Sequence, residues 1–202
     1  LSPAVVQIET RSGLGSGFVY DAEGLILTAA HVVDGSNTVE VRFADGTSVQ
    51  GSVLGADPNT DVAVIRIDER ADLAVAPLAL GIDLMVGQTA VAIGSPFGLD
   101  QTVTAGIVSA IGRATETPGR NGVPRAIPAI QTDAPINSGN SGGALADSQG
   151  RVIGINSSII TSGANSSGNV GVGFAVPIDI AKAVADRIVS GQSINSGYLG
   201  VS

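Results

Sequence analysis

The 202-residue chain contains no cysteine, no tryptophan, one histidine and a single lysine, with only four phenylalanines and two tyrosines. Without cysteine there is no disulfide framework and no thiol nucleophile. With His31 as the sole imidazole, the ligand sets from which zinc sites are built are missing too. Charged residues make up 14% of the chain, the net charge is −8, and there is no basic stretch. The electrostatic footprint of a nucleic-acid or anionic-lipid binder is therefore absent. No apolar run reaches the length of a membrane helix, and the opening LSPAVVQIET lacks the pattern of a signal peptide. The expectation is a soluble segment that needs neither metal nor cofactor, with any export signal or membrane anchor lying upstream.

What is present is a glycine-rich, apolar chain: 28 glycines and 44% hydrophobic residues. A chain of this length buries roughly 70% of its unfolded-state surface, enough to fold without staples. Short apolar runs separated by turn residues every eight to twelve positions predict an all-β barrel or sandwich. Val39, Val41 and Phe43 alternate up to a turn at Asp45-Gly46, and Val49 and Val53 resume the pattern, which reads as a hairpin. FVYDAEGLILTAAHVV and GALADSQGRVIGINSS echo each other as strand, D-x-x-G turn, strand, and so suggest two related β lobes. Residues 78–88 read as the connector between them. The aperiodic stretches 112–128 and 157–171 read as long loops.

One segment carries helical periodicity. Ile180, Val184 and Ile188 recur every four residues, flanked by Ala181 and Ala185 on the same face. Pro177 suits the first turn, Asp179 the positive end, Arg187 the last turn and Gly191 the stop. A helix is predicted over 177–190, followed by a polar linker.

Three residue types that can act together occur in order: His31 in LTAAHVV, Asp61 in TDVAVIRI, and Ser141 in INSGNSGGAL. A serine hydroxyl is almost wholly un-ionised near neutral pH. It needs a base within hydrogen-bond reach, and that base needs a carboxylate to hold its tautomer and balance its charge. Alone, each residue has a plainer reading: a structural histidine, a strand-start aspartate, a turn serine. Asp57, in a turn before Pro58, and Asp133, before the serine loop, are rival carboxylates. The glycines around Ser141 have a use in acyl transfer, because the N–H groups of Gly139 and Ser141 can face a developing oxyanion, with Asn140 between them. The run GLGSGF at 13–18 has the glycines of a phosphate-binding loop but not the Gly-Lys-Ser/Thr ending. Sequons at Asn156 and Asn165 are ordinary matches in serine-rich stretches.

These three blocks, with VGVGFAVPIDIA and GYLGVS, resemble the protease domain of the HtrA/DegP family of chymotrypsin-fold serine proteases over essentially the whole chain. The resemblance implies two perpendicular six-stranded β-barrels, about 1–80 and 86–176, with a C-terminal helix closing a protease domain at 1–191. Residues 192–202 would then be a linker and the start of a PDZ domain. It implies His31 as base, Asp61 as orienting acid and Ser141 as nucleophile, with the oxyanion hole at Gly139, Asn140 and Ser141. It further implies unfolded polypeptides as substrates, activating peptides bound through the PDZ domain, and a homotrimer in which Phe18 and Tyr20 are candidate contacts. The bacterial periplasm or cell envelope is the expected location. Trypsin-like relatives carry an aspartate six residues before the nucleophile; Pro135 stands there, followed by Ile136. An apolar pocket selecting Val, Ala, Ile or Leu is therefore expected. Gly171, Val172, Gly173, Phe174 and Ala175 resemble the strand that pairs with substrate backbone. Asn140 replaces the aspartate that accepts a freed N-terminus in digestive relatives, so control by loop order is expected at 135–139, 157–169 and 113–128. The rival reading from another class is a chaperone-like binder of unfolded protein with a dormant triad.

Overall fold

The computed structural model describes residues 1–11, 13–70, 72–95, 101–118, 124–137, 139–157 and 171–192; within strands, the side chains of 115–118 and 124–127 are not described. Twelve strands form two closed barrels. Barrel one holds β1 (Val5–Thr10), β2 (Gly13–Asp21), β3 (Leu25–Thr28), β4 (Thr38–Arg42), β5 (Ser48–Asp57) and β6 (Val62–Arg66). Barrel two holds β7 (Thr89–Gly94), β8 (Thr102–Pro118), β9 (Pro124–Thr132), β10 (Ala144–Ala146), β11 (Val152–Ser157) and β12 (Gly173–Pro177).

Barrel one closes in the order β1-β2-β3-β6-β5-β4 and barrel two in the order β10-β11-β12-β9-β8-β7. Counted from each barrel's own first strand, these are the same circuit. The two related lobes expected from the sequence echo are thus present, although the echo joins non-equivalent hairpins: β2–β3 in one barrel, β10–β11 in the other. What the hairpins share is turn chemistry. Asp21 Oδ1 accepts the Glu23 N–H at 2.7 Å, and Asp147 Oδ1 accepts the Gln149 N–H at 2.9 Å. Three residues after each aspartate a glycine sits at positive φ, 84° at Gly24 and 75° at Gly150. Each is an Asx turn that only glycine completes without strain.

The alternating valines of β4 follow the pleat, Val39 and Val41 pointing in and their neighbours out. Phe18, Ile8, Ile26, Leu27 and Ile65 fill barrel one; Ile130, Ile136, Leu145 and Ile153 fill barrel two. Phe18 is fully buried and Tyr20 is 9% exposed within this single chain. Burial first, then the nearby Asp186 and Asp21 charges, push the Tyr20 hydroxyl up to about 12. Both rings are core, the second of the two readings open for them beside that of contacts between copies.

The stretch 112–128 is not one loop. β8 runs on to Pro118 and pairs with β9 through Thr115↔Ile127 and Thr117↔Arg125, leaving only 119–123 outside the described residues. Pro118 and Pro124 lie at strand ends, where a missing N–H costs no ladder bond, so the prolines mark ends of strands and not their absence.

The helix α1 (Ile178–Val189) starts one residue later than expected, with Pro177 as its N-cap. Ala181, Val184, Ala185 and Ile188 are buried, together with Ile178, while Ile180 is only partly covered. They face β5, β6, β11 and β12, so α1 packs across both barrels. It ends with Gln192 N–H to the Arg187 carbonyl at 2.9 Å and Gly191 N–H to Ile188 at 3.1 Å, a Schellman closure. The connector is pinned at its start by a parallel bridge between Leu78 and Val152, and by the Gly81 N–H bonded to Asp179 Oδ1 at 2.9 Å. The expected linker and PDZ start at 193–202 lie outside the described residues.

Candidate active site

His31 sits in a single 3-10 turn (Ala30–Val32) directly after β3, and Asp61 is the last residue before β6. β3 and β6 are paired neighbours, with Thr28 opposite Ala63, so the two side chains are delivered to the same end of one sheet. Asp61 has φ of 56°, the one non-glycine in the left-handed region among the described residues. Aspartate tolerates that region better than most residues, and strain of this kind gathers at functional sites.

The Asp61 carboxylate is 2% exposed and fully engaged. Its Oδ1 lies 2.9 Å from His31 Nδ1 and accepts the His31 backbone N–H at 3.1 Å. Its Oδ2 lies 3.0 Å from Nδ1 and accepts the Ser157 hydroxyl at 2.7 Å. A carboxylate can only accept, so Nδ1 carries the proton and Nε2 keeps the lone pair of the neutral ring. The His31 side chain is 28% exposed, so the base reaches solvent while its partner does not.

Ser141 comes from barrel two, in the loop between β9 and β10, and is 2% exposed. That loop is tied to its surroundings by backbone bonds. Asn140 N–H binds Asn137 carbonyl at 2.9 Å, Gly143 N–H binds Asn140 at 2.9 Å, and Gly142 N–H binds Asn156 at 2.8 Å. The Ser141 carbonyl accepts the Ser16 N–H of β2 at 2.8 Å. Gly142 has φ of 82°, and a Cβ there would meet the Ser16 carbonyl and the Thr28 hydroxyl and lie 3.1 Å from the Ala29 nitrogen. The loop therefore rests on the end of β3, just before His31, which only a glycine backbone permits. The Asn140 N–H is taken by Asn137, which removes it from the oxyanion donors expected at Gly139, Asn140 and Ser141. Asn140 contributes its side chain instead, donating from Nδ2 to the Pro135 carbonyl at 3.2 Å. That carbonyl also accepts the Thr104 hydroxyl at 2.8 Å.

The rival carboxylates have other work. Asp57 caps its own turn, accepting Asn59 N–H at 3.0 Å and the Thr60 hydroxyl at 2.9 Å. Asp133 accepts the Ile107 N–H at 2.7 Å and is exposed. Ile136 is buried beneath β12, its side chain 3.1 Å from where a Cβ on Gly173 would stand. The expected substrate-pairing strand needs correction. Gly173, Phe174 and Ala175 pair with Thr132, Gln131 and Ile130 of β9, and Phe174 and Ala175 also pair with Ser157 and Asn156 of β11. With Phe174 and Ala175 paired on both sides, that segment has no open edge to offer a peptide; Gly171 and Val172 lie before the ladder. Ser157 belongs to β11 and not to a loop, as had been expected from its serine-rich context. Its OH on Asp61 was missed for that reason; the one available signal was the apolar run VIGIN leading straight into it. Asn156 is fully buried, with Nδ2 on the Ala144 carbonyl at 3.0 Å, so its sequon is not an accessible glycan site. Asn165 and Ser138 lie outside the described residues.

Two closed six-stranded barrels, with a buried Asp–His pair from one and a glycine-bedded serine from the other, define a trypsin-like serine hydrolase. Residues 15–155 match the family described as a trypsin-like peptidase domain. The chain belongs to that family, as a protease domain of the HtrA/DegP kind. It is 50% identical over 195 residues to a probable periplasmic serine endoprotease, DegP-like, of Pseudomonas fluorescens, covering 96% of this chain and 39% of the relative. It is 44% identical over 217 residues to the serine protease PepD of Mycobacterium tuberculosis, covering 98% of this chain and 47% of that one. Among solved structures, the HtrA-type protease AlgW with tripeptide matches with a TM-score of 0.80 and 40% identity, over 95% of this chain and 62% of the other. A serine endoprotease from Yersinia pestis matches with a TM-score of 0.79 and 36% identity, over 100% of this chain and 68% of the other. The chain thus spans less than half the length of these curated relatives. No helix among the described residues is long and apolar enough to cross a membrane.

Proposed function

We propose that this chain is the catalytic domain of an HtrA-type serine endopeptidase that cleaves unfolded polypeptides. The observation carrying this reading is the buried Asp61 carboxylate bonded to His31 Nδ1, which leaves Nε2 as the ring's basic nitrogen, while Gly142 beds the Ser141 loop on the end of β3 that leads into His31. In the proposed reaction His31 Nε2 takes the Ser141 Oγ proton as the oxygen attacks the peptide carbonyl carbon. The carbonyl oxygen, now negative, is met by the N–H groups of Gly139 and Ser141. Collapse breaks the C–N bond, His31 returns its proton to the leaving amine, and the acyl group stays on Ser141 as an ester. Water, deprotonated by His31, then releases the acid. Asp61 keeps its proton-free state throughout and balances the imidazolium charge.

Side-chain preference is read from Pro135, at the sequence position where trypsin-like relatives carry a carboxylate, and from Ile136 after it. Cleavage after Val, Ala, Ile or Leu is proposed, each fitted methylene favouring its substrate by about 1–3 kcal/mol. The names of the relatives support a location outside the cytoplasm, in the periplasm or cell envelope, and their greater length leaves room for the proposed PDZ domain, its activating peptides and an anchor. Assembly as a homotrimer is part of the same proposal. The test is turnover of acyl-peptide amides ending in Val or Arg. Val-selective hydrolysis that disappears in Ser141→Ala supports the reading. Equal turnover of both overturns the pocket, and binding of unfolded protein without hydrolysis under activating conditions favours the chaperone-like alternative.

A further inference from the structure

The GLGSGF run, whose glycines suggest a phosphate loop, is the first part of β2, and its serine is one of the points where the two barrels are tied. Ser16 is fully buried on β2, with every polar atom engaged. Its N–H binds the Ser141 carbonyl at 2.8 Å, and its carbonyl accepts the Thr28 hydroxyl at 2.7 Å. Its hydroxyl lies 2.8 Å from the Gly139 carbonyl and 2.8 Å from the Ser95 nitrogen. A carbonyl only accepts and an amide N–H only donates, so the hydroxyl proton must point at Gly139 and the lone pair at Ser95.

Gly139 is the residue whose backbone has the least intrinsic preference, and its N–H is one of the two proposed oxyanion donors. The following peptide is held at both ends: its carbonyl by Ser16 Oγ from barrel one, and its N–H (Asn140) by the Asn137 carbonyl within the loop. Fixing that plane restricts ψ of Gly139 and φ of Asn140, and so anchors the short stretch of backbone that lies between the Gly139 and Ser141 N–H groups. We propose that the Ser16 hydroxyl is a positioning residue for the oxyanion hole, setting the Gly139–Asn140 peptide from the opposite barrel. Nothing in β-strand formation requires a hydroxyl at this site; an alanine fits the same strand. The hydroxyl satisfies two groups, the Gly139 carbonyl of the nucleophile loop and the Ser95 N–H, so a strand position that alanine could fill carries a buried polar link to that loop. This inference rests on the proteolytic reading of Ser141.

The experiment compares the parent chain with Ser16→Ala, Ser16→Cys and Ser16→Thr. It measures kcat and KM on a Val-ending peptide anilide, affinity for a peptide boronate that forms a tetrahedral adduct on the nucleophile, and thermal midpoint. Ser16→Ala is expected to lower kcat and boronate affinity together, roughly ten- to a hundredfold, with KM within about twofold; a misplacement near 1 Å carries a cost of that order. Ser16→Thr, which keeps the hydroxyl, is expected to recover most of both. Ser16→Cys keeps the bulk but donates weakly, and covers the case in which the alanine variant does not fold. A folded alanine or cysteine variant with unchanged kcat and boronate affinity overturns the inference while leaving the protease reading intact. So does a loss confined to KM, or one that the threonine variant does not recover. A parent chain that neither turns over peptide nor binds boronate overturns the protease reading and this inference with it.

Discussion

Barrel one holds the His31–Asp61 pair largely from within, whereas the Ser141 loop of barrel two is held by bonds from its own barrel and from the other. His31 and Asp61 stand at adjacent strand ends and bond each other twice over, through side chain and main chain. The Ser141 loop is bound at Gly139 and Ser141 by Ser16, and bedded at Gly142 against Ser16 and Thr28. The same six-strand circuit therefore serves two purposes: a rigid acid–base unit in one copy, and a loop whose working shape depends on docking in the other. The lesson is that the Ser141 loop draws more of its support from the opposite barrel than the His31–Asp61 pair does. Substitutions within that pair should act on chemistry alone, and substitutions that lift the loop off β3 on chemistry and stability together.

The largest expected effect comes from Asp61→Asn. The carboxamide offers an N–H toward Nδ1 and stabilises the wrong tautomer, so kcat should fall about 10⁴-fold with the thermal midpoint nearly unchanged. Steady-state kinetics beside a melting curve separates the two. Gly142→Ala probes the other barrel. A side chain at φ 82° that meets the Ser16 carbonyl forces the loop off β3, and should cost roughly 3 kcal/mol of stability and most of the activity. If that variant lost activity without losing stability, the contrast between the barrels would fail.

Ser157→Ala removes one donor from the Asp61 carboxylate while the His31 bonds remain. A drop in kcat of about tenfold is expected, equivalent to about 1.4 kcal/mol, with KM unchanged. This hydroxyl is a barrel-two group bonded to the His31–Asp61 pair, so its effect measures how self-contained that pair is.

The smallest effect concerns the two D-x-x-G turns. Burial raises the Asp147 carboxyl's affinity for a proton, but the Arg151 backbone, the Arg151 guanidinium and the Gln149 N–H outweigh it, and the group lies below the usual carboxylate range. Its stabilising contribution is fully present above about pH 4, the ordinary carboxylate value, and is lost as pH falls through the lower folded value. The difference in thermal midpoint between the parent and Asp147→Asn should thus be constant from pH 5 to 8 and shrink toward zero in stronger acid. Asp21 has no arginine at the matching position, since Leu25 stands there, so Asp21→Asn should show a smaller difference.

Much of this was legible in the residues. Period-two alternation and the aspartate–glycine turns disclosed the strands, and the four-residue spacing of Ile180, Val184 and Ile188 disclosed α1. The order of His31, Asp61 and Ser141, with glycines placed about the serine, pointed to the candidate site, of which the structure bonds His31 to Asp61. What stayed hidden were contacts across the barrels. Ser16 and Ser157 look like any small polar residues in sequence, because hydrogen bonds spanning about a hundred residues leave no local pattern. Pro118 and Pro124 misled for the opposite reason: they are strong local breakers placed where the ladder tolerates them. Phe174 and Ala175 looked like part of a free strand because pairing on both edges is a property of topology and not of composition.

The central claim is that His31, oriented by Asp61 within barrel one, activates Ser141 delivered by barrel two. Mass-spectrometric mapping of a Val-based peptidyl phosphonate tests it most directly. The account predicts one adduct, on Ser141, formed by the parent chain and slowed by at least a thousandfold in His31→Ala, which retains its fold. Labelling of Ser141 at equal rates in both proteins, or an adduct on another serine, would contradict it.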